Sequence, residues 1–132
     1  LGHEYGAVTG RERRCGWIDL VALKYSIMIN GVTKLIMMKS DVLDGFETIK
    51  ACVAYKQHGK QIDYFPYSIE EGIEPVYVEL PGWKTDMTGF TSEEQFPKEF
   101  NDYVKFLEEQ LETPICIISI GPDRDQTIVR NK

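Results

Sequence analysis

Long apolar runs are missing from this sequence. The longest, such as Leu35-Ile36-Met37-Met38 and Ile115 to Ile120, fall far short of the roughly 20 residues that a membrane-spanning helix requires, so no bilayer-crossing helix and no membrane partner are expected. Histidine is scarce, limited to His3 and His58, and the three cysteines Cys15, Cys52 and Cys116 are widely spaced with no CxxC pair. The expectation is therefore reduced, buried cysteines in a cytosolic protein. No Ser/His/Asp set, metal-ligand cluster or phosphate-binding glycine loop can be assembled from the 132 residues, so neither a catalytic residue nor a metal ligand is expected within the chain. Basic residues are outnumbered, 15 Lys and Arg against 21 Asp and Glu, for a net charge of −6. Affinity for nucleic acid comes mainly from Lys and Arg, and no aromatics interleave with Arg11, Arg13 and Arg14, so nucleic acid is not an expected partner. The chain opens on Leu1-Gly2-His3, without an initiator Met or a charged and apolar leader, as a piece of something longer is expected to.

What is present is the material of a folded domain. Hydrophobic residues make up 42% and charged residues 27%, close to the averages for soluble globular proteins. From Trp17 to Met28, the apolar Ile18, Val21, Ala22, Tyr25 and Met28 recur at helical spacing, with Asn30-Gly31 as a stop, and predict a helix. Lys34 to Met38 reads as a strand covered on both faces, ended by Lys39-Ser40-Asp41. Ile49 to Tyr55 and Gln61 to Phe65 predict an antiparallel hairpin with a longer loop at Lys56 to Lys60, placing His58 on a solvated turn. Pro66 to Gly89 reads as mainly irregular, with a short extended piece at Val76 to Leu80. Phe96, Phe100, Tyr103, Val104, Leu107 and Leu111 predict a second helix, with Glu108, Glu109 and Glu112 on a solvated outer face. Ile115 to Ile120 predicts another buried strand, and Thr127 to Val129 a further extended piece. Without a repeat or linker, residues 1–132 read as one α/β domain or part of one, a mixed sheet with flanking helices and a β-hairpin.

Three clusters carry possible chemistry. In Gly6-Ala7-Val8-Thr9-Gly10-Arg11-Glu12-Arg13-Arg14, glycines free the backbone to approach a ligand and arginines supply planar donors suited to carboxylates and phosphates. An exposed loop whose arginines pair with local acids is the structural alternative. Lys39-Ser40-Asp41 comes after an apolar strand, where a carboxylate can accept from the ring N–H and exocyclic amine of guanine while a lysine stem lies over the base; a plain surface loop has the same composition. Ser119-Ile120-Gly121-Pro122-Asp123-Arg124 also comes after a strand, at the kind of carboxyl end where ligands of open α/β sheets gather, or is an ordinary strand-ending turn.

Taken in order, the clusters and two further segments resemble one family. Gly6 to Trp17, Met38-Lys39-Ser40-Asp41-Val42-Leu43-Asp44-Gly45, Tyr64-Phe65-Pro66, Leu80-Pro81-Gly82-Trp83 and Ile117 to Arg124 are similar to the GATTGRxRRxGW, TKLDVLDG, YFP, LPGW and IISxGPDRxxT segments of adenylosuccinate synthetases. The resemblance covers essentially the whole chain. It implies the C-terminal portion of a P-loop-NTPase-like fold, and an enzyme that joins IMP to L-aspartate with GTP and Mg²⁺ in AMP biosynthesis as a cytoplasmic homodimer.

The resemblance also implies roles. Ala7, Val8, Thr9, Gly10, Arg11, Glu12 and Arg13 match a loop that closes over aspartate, with Thr9 and Arg11 holding its carboxylates and Arg11 reaching IMP. Arg13 also matches a GTP contact, together with Lys39, Ser40, Asp41, Ser119, Ile120, Gly121 and Pro122 around guanine. Two positions depart from the family pattern: Val8 stands for a threonine, and Ser40 for the leucine of Lys-Leu-Asp. The family's catalytic aspartate and histidine, its Mg²⁺ ligands, its GDEGKGK-type loop and the arginine given to IMP by a dimer partner have no counterpart in the 132 residues. Alone, the chain is expected to be inactive. The alternative reading is a non-catalytic guanine-nucleotide-binding module.

Overall fold

The structure, a computed structural model, describes residues 5–12, 15–68 and 72–130. Regular structure starts at Ile18–Asp19 (β1) and Leu20–Asn30 (α1). Asp19 sets this boundary: its backbone is extended and its carboxylate accepts from the Ala22 N–H at 3.1 Å, capping the helix. The helix expected from Trp17 therefore begins at Leu20. Gly31, at φ 63°, closes it by donating to the Ile27 carbonyl. The expected buried face is also corrected. Val21 is buried, but Tyr25 and Met28 are exposed, and Leu20, Leu23 and Ile27 meet the core instead. Apolar residues surround α1, so its spacing permits two faces and packing selects between them.

Leu35–Met37 (β2) and Thr48–Gln57 (β3) come next, and β3 turns through His58-Gly59 into Lys60–Ile62 (β4). Both turn residues have positive φ, 52° and 75°, which suits the tight hairpin that fits strand twist. A two-residue turn thus replaces the expected longer loop, with His58 exposed as expected. The next strand, Glu74–Pro81 (β5), pairs antiparallel with nearly all of β3, from Thr48 opposite Pro81 to Lys56 opposite Glu74. The extended piece expected at Val76 to Leu80 thus lies within a longer strand, and the rest of the described stretch is irregular as expected. Pro75 and Pro81 read as breakers, yet β5 pairs only through β3 among the described strands, and an edge strand tolerates proline. On the other edge of β3, β1 pairs in parallel at Ala51 and Cys52, and β4 pairs antiparallel at Tyr55 to Gln57.

Lys98–Leu111 (α2), Ile115–Ser119 (β6) and Thr127–Val129 (β7) complete the chain. In the second sheet β6 is central, with β2 parallel on one side and β7 antiparallel on the other. The strand expected to be covered on both faces is covered on one: Leu35 and Met37 pack on the core, while Ile36 and Met38 are exposed.

One apolar core spans both sheets. The α2 residues Phe100, Tyr103, Val104, Leu107 and Leu111, with Phe96 just before the helix, are all buried, as their spacing predicts, and meet Ile49, Trp83, Met87, Ile118 and Ile120. Phe100 stands edge-on to Trp83 with ring centroids 4.7 Å apart. Burying a side chain of this kind contributes about 1.5–3 kcal/mol. Glu109 and Glu112 are exposed, but Glu108 is not on a solvated face. Its carboxylate accepts from the Ile115 N–H at 2.9 Å and lies 3.4 Å from Arg130 Nη1. Arg130 also donates to the Ile115 carbonyl and Glu93, so Glu108 ties α2 to β6. Cys52 and Cys116 are free thiols, the first buried and the second half-buried, whereas Cys15, expected to be buried, is exposed.

Candidate functional site

Strands β2 and β6 run parallel as neighbours, so their carboxyl ends emerge on the same side of the sheet. Lys39-Ser40-Asp41 leaves one and Ser119 to Pro122 leaves the other. The two sequence clusters meet there. Ser40 Oγ donates to the Ser119 carbonyl oxygen at 2.7 Å, a bond between residues 79 apart in sequence, and both serines are buried.

Each arm has its own fixings. After β2 the backbone bends at Lys39, which adopts a left-handed conformation (φ 57°, ψ 35°), into the short 3₁₀ turn Ser40–Leu43. A non-glycine residue in that region costs about 1–2 kcal/mol, and such strain concentrates at functional positions. Asp44 holds the end of the turn, accepting from the Trp83 indole at 2.7 Å and the Met87 N–H at 3.0 Å. Burial is the largest influence on its carboxyl pKa and raises it above the ordinary value, with the two hydrogen bonds opposing. Among the described residues the half-buried Asp41 carboxylate accepts no such bond.

On the β6 arm Ser119 Oγ donates to the Gly121 carbonyl at 3.0 Å, and the Ile120 N–H donates to the Gln126 carbonyl at 2.8 Å. The Gln126 side chain lies against Gly121 so closely that a Cβ there would stand 2.2 Å from its Oε1. The same side chain accepts from the Asp123 N–H and donates to the Thr88 carbonyl. A side chain at 121 would therefore displace the Gln126 amide from these bonds. Ile120 is wholly buried and Ser40 nearly so, leaving their backbone, with the exposed Pro122, as what these positions can offer a ligand.

The arginine loop stands apart. Tyr5 and Glu12 form an antiparallel bridge, the Gly6 N–H donates to the Arg11 carbonyl at 2.7 Å, and the Gly10 N–H to the Gly6 carbonyl at 2.8 Å. Gly10 has φ 67°, which favours glycine. Thr9 Oγ1 accepts from the Arg11 N–H at 3.3 Å. Ala7, Val8, Thr9, Gly10, Arg11 and Glu12 are all exposed, and no hydrogen bond joins them to the strand-end clusters among the described residues. Arg13 and Arg14 lie outside the described residues. The loop returns through Trp17, whose ring meets Phe46 edge-on with centroids 5.5 Å apart.

Sequence reasoning assigned no role to the supports. Asp44, Gly82 and Trp83 sit inside the matched segments, and their spacing gave no sign that they touch. A Cβ on Gly82 would stand 1.8 Å from the Phe46 carbonyl oxygen, so LPGW packs directly beneath the segment bearing Asp44. No group of three or more His, Cys, Asp or Glu able to hold a metal is present among the described residues, and no described helix is long and apolar enough to cross a membrane. A cavity of about 490 Å³ lies elsewhere, between Val21, Tyr25 and Met28 of α1, Tyr64, Phe65 and Leu111.

Comparison with known proteins places the chain in a family. The family model described as adenylosuccinate synthetase matches residues 1–128. The adenylosuccinate synthetase of Phocaeicola vulgatus is 82% identical over 130 residues, covering 98% of this chain and 31% of the relative. That of Bacteroides fragilis is 74% identical with the same coverage. The structure of fully ligated adenylosuccinate synthetase from Plasmodium falciparum superposes with a TM-score of 0.92 at 38% identity, over 98% of this chain and 32% of that one. The chain thus spans about a third of the length of these relatives.

Proposed function

Because the chain belongs to the adenylosuccinate synthetase family, we propose that it is the part of such an enzyme that reads the guanine of GTP and holds L-aspartate. The whole enzyme joins IMP to aspartate at the expense of GTP, giving adenylosuccinate, GDP and phosphate, as a cytoplasmic homodimer. Residues 1–132 are then a partial domain of the parent. We place them in its C-terminal part, because the sequence carries no GDEGKGK-type phosphate loop, which the family pattern puts near the N-terminus.

One observation carries the reading: the Ser40–Ser119 bond fastens the two base-reading segments together at the carboxyl ends of neighbouring parallel strands, where ligands of α/β sheets bind. Asp41 accepts from the guanine ring N–H and exocyclic amine, and the Lys39 stem covers the base. Lys39, Ser40, Ser119, Ile120, Gly121 and Pro122 frame the slot, largely with backbone. Two hydrogen bonds to a charged group, each about 1.5–3 kcal/mol, discriminate against adenine, which presents a different edge.

The exposed loop of Ala7 to Arg13 is the aspartate clamp. Thr9 and Arg11 hold the carboxylates, and the guanidinium suits a bidentate grip that aims the amine at its target. Arg11 also reaches IMP, and Arg13 reaches GTP. Mg²⁺, which screens phosphate charge in phosphoryl transfer, is held by residues of the parent outside this chain.

Assay of adenylosuccinate formation tests the proposal. The full-length parent should form it from IMP, aspartate and GTP, and the chain alone should form none. A parent without that activity, or turnover by the isolated chain, contradicts the reading.

A further inference from the structure

We propose that Ser40 is a positioning residue for guanine selectivity, its hydroxyl fixing the separation of Asp41 from the Gly121 backbone across the base slot. The inference rests on the assignment of that slot to guanine.

Ser40 sits between the strained Lys39 and Asp41 in the short turn after β2. It is only 2% exposed, and its hydroxyl donates to the Ser119 carbonyl at 2.7 Å. Both arms are also held from one stretch, residues 83–88, which joins them indirectly. Asp44 ties the Ser40–Leu43 turn to Trp83 and Met87, and Gln126 backs Gly121 and bonds Asp123 and Thr88. Among the described residues, the Ser40 hydroxyl makes a direct side-chain bond from one arm to the other. It ends one residue from the Asp41 carboxylate and two residues from Gly121.

The chemistry of the position supports a directional role. The family pattern to which this chain is similar has leucine here, and leucine joins two segments by packing, which tolerates small slides. A hydroxyl bonded to a carbonyl fixes distance and direction together. A carboxylate reading two donors on one base edge depends on that register, since displacement lengthens one bond before the other. Loosening the link should therefore weaken the contact to the exocyclic amine more than the contact to the ring N–H.

The test uses the full-length parent and compares kcat/KM for GTP with that for ITP, whose base lacks the exocyclic amine. Ser40→Ala should lower the GTP-to-ITP ratio by about threefold to tenfold, the share of one neutral hydrogen bond, while KM values for IMP and aspartate stay within about twofold. Should the alanine variant fail to fold, the nearly isosteric Ser40→Cys, a much weaker donor, should move the ratio the same way. Asp41→Asn is measured beside them. If Asp41→Asn collapses the ratio while Ser40→Ala and Ser40→Cys leave it unchanged, the slot reads guanine but Ser40 does not position it, and the proposal is overturned. If Asp41→Asn also leaves it unchanged, the guanine assignment fails and the proposal falls with it.

Discussion

The indole Nε1 of Trp83 donates to Asp44 Oδ1 at 2.7 Å. Through this bond, and that from the Met87 N–H to Oδ2, one carboxylate roots the turn bearing Lys39 and Asp41 in the aromatic core, because Trp83 is itself packed on Phe100 and Tyr103. The residues proposed to read the base thus gain a rigid foundation from the Asp44 carboxylate.

Replacing Asp44 by alanine leaves two donors without their acceptor. Loss of about 2–6 kcal/mol is expected, at about 1–3 kcal/mol for each unmet buried group. Asp44→Asn should cost less, because its amide oxygen still accepts one bond. Urea unfolding of both variants checks the order.

At Gly82 the constraint is contact. A methyl group there would collide with the Phe46 carbonyl, 1.8 Å from the Cβ position, whereas a Cβ on Gly45 meets nothing within 4 Å. Gly82→Ala should destabilise by about 3 kcal/mol or more and Gly45→Ala by less than about 1 kcal/mol. Thermal unfolding of the pair reads the difference directly.

Burial pushes the Tyr103 phenol up to about 12 from an ordinary 10.0. The folded state favours the neutral phenol, so this contribution is intact below pH 10 and is lost as pH rises from about 10 towards 12. Stability should fall across that interval, and Tyr103→Phe should flatten the fall. Denaturant midpoints measured from pH 9 to 12 decide it.

Arg11 lies on an exposed loop closed by its own backbone bonds, so truncating it should leave the loop standing. In the full-length parent, Arg11→Ala is expected to raise the KM for aspartate about 10- to 100-fold, the worth of charge-assisted bonds at about 1.5–3 kcal/mol, with the KM for GTP nearly unchanged. Normal aspartate kinetics would place the clamp elsewhere.

Helix α2 and strands β2, β6 and β7 were legible because each carries a helical period or a short β-rich run, although β2 buries only one face of its run. Helix α1 was legible as a helix but not as a face, since apolar residues at 20, 21, 23, 25, 27 and 28 permit several. Strand β5 was legible only at Val76 to Leu80, because the cost of the flanking Pro75 and Pro81 depends on lying at a sheet edge, which is a property of the whole fold. The strand-end segments at Lys39–Asp41 and Ser119–Pro122 could be read singly, because each lies at the end of an apolar run. That Ser40 bonds Ser119, or that Asp44 meets Trp83, could not be read, because no local pattern records contacts between residues 79 or 39 apart.

The most direct test of guanine reading by this chain is Asp41→Asn in the full-length parent, with kcat/KM compared for GTP and XTP. An asparagine amide can donate to the extra carbonyl of xanthine, so the preference should swing towards XTP by at least about tenfold, the worth of one bond to a charged group. An unchanged GTP-to-XTP ratio would contradict the account.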